Sequence, residues 1–132
     1  MNLEILKIAS DTKNHKIIDD CTHIAKQKNH LCGDEMQICL KISKEKIIDF
    51  AYQCKSCIYC QASASMLSKS SINKSVQSVI EFIKSIDNFF EKNKIKFPKE
   101  WKKLEILFNK KNISRKECIL LPFKTLAKAL KS

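Results

Sequence analysis

Three cysteines at spacings of three, Cys54, Cys57 and Cys60, sit in the run CKSCIYC and lead straight into QASASML. Thiolates spaced this way suit a borderline-soft cation such as Zn²⁺ or iron. C-x2-C-x2-C also begins the bacterial ferredoxin pattern, but that pattern's next cysteine is absent, because Gln61, Ala62 and Ser63 follow Cys60. A separate cluster on these three residues is therefore not expected. Cys54 and Cys60 read as spare thiols beside a site, either buried as small apolar groups or able to replace a ligand.

A second group lies upstream. Gly33 is the only glycine of the chain, where about 7% would be usual, and it stands inside Cys32-Gly33-Asp34. Glycine kept at one place only is glycine the backbone needs, for a positive φ or for a close approach to the main chain. Cys32 and Asp34 are two residues apart, so in an extended chain both side chains leave on the same side and together could hold one ion. His15, His23 and His30 show no paired spacing; His30, two before Cys32, suits a surface or supporting position. Cys21 stands alone and Cys39 alternates with polar residues, so both read as packing residues.

The elements that would position these groups follow from periodicity. From Glu35 to Ile42 apolar Met36, Ile38, Leu40 and Ile42 alternate with Glu35, Gln37, Cys39 and Lys41, the pattern of a half-buried strand. A polar turn at residues 43–46 leads to a returning strand in which Ile48, Phe50 and Tyr52 alternate with Ile47, Asp49 and Ala51. A third strand is expected near Cys21–Lys26. Because the hairpin goes out and returns, residue 32 before its first strand and residue 57 after its second meet at one end. Ala62 to Leu67 then form a helix whose small residues permit close packing on the sheet and whose N-terminal amides favour a thiolate at Cys57.

Further on, Val76, Val79, Ile80, Ile83, Ile86 and Phe90 mark an amphipathic helix that Asn73 could cap. Pro98 breaks the chain before a short helix with Trp101, Leu104, Leu107 and Phe108 inward. A last helix runs to about Leu130 with Pro122 in its first turn. Strands first and helices later predict an α+β fold, a small antiparallel sheet with helices packed on one face.

Three segments, LCGD at 31–34, SCIYCQASASML at 56–67 and RKECILLPFKTLAKAL at 115–130, resemble in order and spacing the iron–sulfur cluster assembly proteins of the IscU/SufU family, which share the NifU N-terminal domain. The likeness spans most of the chain. It implies that Cys32, Cys57 and Cys118 are the family's three cysteines and Asp34 its metal-site aspartate, so that Cys118 is the distant fourth ligand. It further implies a Zn²⁺ or Fe²⁺ site, a transient [2Fe–2S] cluster on the same residues, and a cysteine desulfurase that delivers persulfide sulfur, with Cys118 as acceptor and Cys57 as the second reactive thiol. A downstream cluster carrier or apo-protein would receive the product. Glu117, where the IscU branch has histidine before the third cysteine, and the 60 residues between Cys57 and Cys118 favour the SufU branch. Ser56 in place of the family's glycine, the extra Cys54 and Cys60, and the segment ASDTKNHKIIDD depart from the pattern.

Composition bounds the alternatives. With 132 residues, 44% hydrophobic content and two prolines, residues 1–132 are expected to form a single domain. No signal-peptide pattern opens the sequence and no apolar run approaches the roughly 18 residues of a membrane span, so a cytoplasmic protein with no membrane partner is expected. Seven cysteines in a reducing compartment point to metals or sulfur chemistry rather than disulfides. The net charge of +11 comes mostly from scattered lysines. Between Phe89 and Lys111 they read more simply as a solvated helical face than as a phosphate-binding stripe, and nucleic acid is not an expected partner. The alternative is a zinc-stapled basic module that binds nucleic acid or protein without sulfur transfer. No Ser-His-Asp set, phosphate loop or paired catalytic carboxylates are present, so a scaffold or a zinc-dependent, sulfurtransferase-like sulfur acceptor is expected rather than a conventional enzyme.

Overall fold

The computed structural model describes residues 3–29, 33–86, 97–108 and 110–131. Helix α1 (Leu3–Ala9) precedes strands β1 (His23–Lys28), β2 (Glu35–Ser43) and β3 (Lys46–Lys55). Helices α2 (Ile58–Ser71), α3 (Val76–Ile86) and α4 (Lys116–Leu130) follow, with 3₁₀ segments at Lys99–Ile106 and Lys110–Arg115. Among the described residues the strands form one antiparallel sheet in the order β1-β2-β3. No helix among them is long and apolar enough to cross a membrane.

Alternation along β2 buries Met36, Ile38 and Leu40, which lie opposite Cys54, Tyr52 and Phe50 of β3 and opposite Gln27, Ala25 and His23 of β1. That inward face carries α2 and α4. The returning strand departs from simple alternation: Ile42 pairs with Ile47 and Lys41 with Asp49, so Ile48 is an extra residue. This bulge turns Ile47 inward and leaves Ile48 43% exposed, the reverse of their expected positions. Beyond the bulge the expected phase returns at Phe50.

Two other expectations are corrected. Asn73 adopts φ 73° and does not cap α3; Ser75 does, its Oγ accepting the Ser78 N–H at 3.2 Å. Pro122 lies inside α4 rather than in its first turn, because the helix starts early, continuing directly from the 3₁₀ turn that ends at Arg115. Phe90 of the expected α3 stripe lies outside the described residues, and Phe82, which that stripe omitted, is buried. Trp101, Leu104 and Leu107 face inward as expected. Their spacing of three matches the three residues per turn of a 3₁₀ helix, which explains why the segment takes that form. Phe82 stacks flat on Trp101 at 4.2 Å and reaches Phe123 of α4 at 6.3 Å, joining the later helices into the core beneath the sheet.

Candidate metal centre

The hairpin brings the end of β3 beside the start of β2, where Glu35 pairs with Lys55. Asp34 precedes Glu35, and Cys57 follows Lys55 by two residues. Backbone hydrogen bonds tie Asn29 to the residues at and before Asp34: Gly33 N–H donates to the Asn29 carbonyl at 2.8 Å, and Asn29 N–H donates to the Asp34 carbonyl at 2.8 Å. Gly33 takes φ +74°, with nothing within 4 Å of where a Cβ would stand. Glycine is thus required for backbone conformation and not for space.

Cys57 is the N-cap of α2 and Cys118 the third residue of α4. Two helix N-termini therefore converge, each offering amides and the positive end of a dipole to sulfur. The helices are tied together close to the site. The Ser63 hydroxyl, fully buried in the small-residue run, donates to the Ile119 carbonyl at 2.6 Å. Pro122, inside α4, has no N–H to return to the Cys118 carbonyl four residues earlier, so the helix forgoes that one backbone bond. The Arg115 guanidinium lies over the Tyr59 ring at 5.5 Å, joining the residues that flank the two cysteines. None of these ties was visible in the sequence except as small residues and a proline.

One donor atom from each of Asp34, Cys57 and Cys118 lies within 4.8 Å of the other two. Asp34 is 5% and Cys118 6% exposed, and Cys57 is half-buried. The Cys57 N–H donates to Asp34 Oδ1 at 3.2 Å, whereas Asp34 Oδ2 is buried with no hydrogen-bond donor. A buried carboxylate oxygen without a donor is costly unless a cation meets it. Two thiols with that oxygen make a mixed soft and hard donor set that fits Zn²⁺ or Fe²⁺. Of the four expected ligands, three are gathered here; Cys32, like His30, lies outside the described residues.

Cys54 and Cys60 are not in this group. Cys60, in the first turn of α2, is fully buried in the core, and Cys54 is half-buried at the inward end of β3. Burial first, with Asp34 and Cys57 adding, pushes both thiols up and keeps them protonated. The run CKSCIYC thus splits, giving one residue to the centre and two to packing beside it.

The chain is similar to several known proteins. The model of the NifU-like N-terminal domain matches residues 2–103. The iron–sulfur cluster assembly scaffold protein IscU of Thermotoga maritima is 30% identical over 96% of this chain and 89% of its own. A Fervidobacterium islandicum protein described as an iron–sulfur cluster assembly scaffold for the SUF system superimposes with a TM-score of 0.88 at 27% identity, covering 98% of this chain and 96% of that one. The N-terminal part of a NifU-like protein of Brucella abortus also gives 0.88, at 20% identity over 98% and 91% of the two chains, a likeness of fold alone.

Proposed function

Because the chain belongs to the family of NifU-like N-terminal domains, we propose that it is a scaffold for iron–sulfur cluster assembly that takes persulfide sulfur from a cysteine desulfurase. Residues 1–132 serve as one such domain, and a reducing cytoplasmic setting goes with its chemistry. The observation that carries this reading is the meeting of Asp34, Cys57 and Cys118 within 4.8 Å around a buried carboxylate oxygen that lacks a donor. Cys32, two residues before Asp34, completes the ligand set. A bound Zn²⁺ or Fe²⁺ would hold the coordinating thiols deprotonated at neutral pH.

Sulfur acceptance then needs one nucleophile. The Cys118 thiolate attacks the outer sulfur of the desulfurase persulfide, the persulfide S–S bond breaks, and the desulfurase cysteine departs as thiolate. The new S–S bond on Cys118 replaces the old one, so the step is a transfer without net oxidation. Cys57, the more exposed of the pair, is the second reactive thiol. The carboxylate of Asp34, hard among soft ligands, is the group most readily exchanged when a position must open. As cargo, a [2Fe–2S] cluster would rest on the same cysteines, with Asp34 keeping it labile enough for transfer to a carrier or apo-protein. Glu117 in place of histidine before Cys118 supports the SufU-type, zinc-assisted route.

The test is to incubate the protein with a cysteine desulfurase and cysteine, then map added sulfur by mass spectrometry. One extra sulfur on Cys118 is expected, absent in Cys118→Ser and retained in Cys54→Ser and Cys60→Ser. Undiminished sulfur loading of Cys118→Ser would contradict the assignment.

A further inference from the structure

A concavity lies at the far end of α2 from the metal centre. Cys57 is the N-cap of that helix, and Lys69 stands twelve residues on, about 18 Å along the axis. Both α1 and the 3₁₀ segment Lys99–Ile106 pack against α2, so the end of α2 is a floor and the other two are sides. They enclose a cavity of about 740 Å³, within the size range of small-molecule sites. Five of its twelve lining residues are lysines, Lys7, Lys69, Lys74, Lys99 and Lys103, against three carboxylates, Glu4, Asp11 and Glu100. That density exceeds the chain's own, 25 basic residues in 132.

The lysines are not all neutralised in place. Lys69 pairs with Asp11. Lys7 of α1 and Lys99 and Lys103 of the 3₁₀ segment make no ion pair among the described residues. Lys74, half-buried, donates to the Ser70 carbonyl and lies over the Trp101 ring at 4.7 Å. Burial first, with Glu100 opposing, pulls its ammonium down. Ammonium groups gathered on both sides of one concavity repel each other, and an anion between them removes that cost. Lysine offers a point charge suited to phosphate, and no arginine, with its planar fork for carboxylates, lines the cavity. Ile8 and Met66 add an apolar part. We propose that this cavity binds a small molecule carrying a phosphate chain, held by Lys7 from one side, Lys99 and Lys103 from the other, and Lys74 from the end of the floor.

The intact protein is dialysed to equilibrium at low salt against ATP or inorganic tripolyphosphate, with Mg²⁺ present so that neither probe strips the metal centre. Saturable binding of about one equivalent per chain is expected. Tighter binding of ATP identifies a nucleotide as the source of the phosphates, and equal binding identifies the phosphate chain alone. Trp101 is the single tryptophan of the chain, so drawing the Lys74 ammonium from its ring toward phosphate should change its fluorescence in step with binding. Lys7→Glu and Lys103→Glu should each weaken binding about tenfold or more. Lys102→Glu makes the same charge change beside the cavity without lining it, and should alter binding less than about twofold. All three side chains are exposed, so the variants keep the fold. No saturable binding of either probe, or equal weakening in Lys102→Glu, would overturn the proposal.

Discussion

Single atoms decide most of what this chain can do. Asp34 uses one oxygen to accept the Cys57 amide and leaves the other buried without a donor, a division of labour that fixes the carboxylate before any cation arrives. The sequence announced Asp34 through its neighbour Gly33, since a solitary glycine marks a required backbone conformation, and the observed φ of +74° bears that out. It also singled out Cys57 over Cys54 and Cys60, because the returning strand and the helix after it bring residue 57 to the end of the hairpin where Asp34 lies. Tyr52, 2% exposed, supplies a prediction at this scale. Burial first, with Cys54 adding and the Ser65 hydroxyl opposing, pushes its phenol up to about 12 from an ordinary 10. A folded-state value above the unfolded one gives stability that is whole below pH about 10 and is lost as pH rises through about 12. At about 1.4 kcal/mol per unit the loss is about 2 to 3 kcal/mol. Denaturant titrations across that interval should show Tyr52→Phe losing less stability than the wild type by this amount; parallel curves would refute the burial account.

Elements were more legible than their ends. Period-two alternation located β2 and β3, and apolar spacings of three and four located α3 and the region of α4. The bulge at Ile48 was hidden because Ile47 and Ile48 are the same residue type, so nothing in the alternation marked the extra residue that exchanges their faces. The hairpin loop was hidden too: Lys44 and Glu45 both adopt positive φ, 51° and 65°, at positions where Asn or Gly would have signalled the turn. Pro122 misled because a proline suits a first turn when a helix starts close before it, and here the helix starts six residues earlier. Cys118 sits one turn before this proline, and the bond from Ser63 to the next carbonyl holds that turn to α2. Ser63→Ala should therefore cost about 1 kcal/mol of stability and weaken zinc binding a few-fold without touching a ligand. Thermal melts and competitive zinc titration together measure both effects. Unchanged values in both would mean that the hydroxyl does not hold the helices in place.

Across the molecule, one apolar cluster takes side chains from all three strands and all four helices, and the site lies where two helix N-termini and the open end of the hairpin meet. The fold class and the order of ligands along the chain were readable, because alternation, helical spacing and the three resembling segments each leave a local trace. The closeness of Cys118 to Cys57 was readable only through the likeness of those segments, since periodicity over the 60 intervening residues carries no record of how α4 returns to α2. The donors clustered at the centre are two thiols and a carboxylate. The central claim is that these three residues, with Cys32, hold one metal ion. Elemental analysis of the protein purified without oxygen tests it most directly, comparing wild type with Asp34→Ala, Cys57→Ser and Cys118→Ser, and with Cys54→Ser and Cys60→Ser as controls. The account predicts about one zinc or iron per chain in the wild type and both controls, and strong depletion in each of the other three. Full metal content in Cys57→Ser and Cys118→Ser, or depletion confined to the controls, would contradict it.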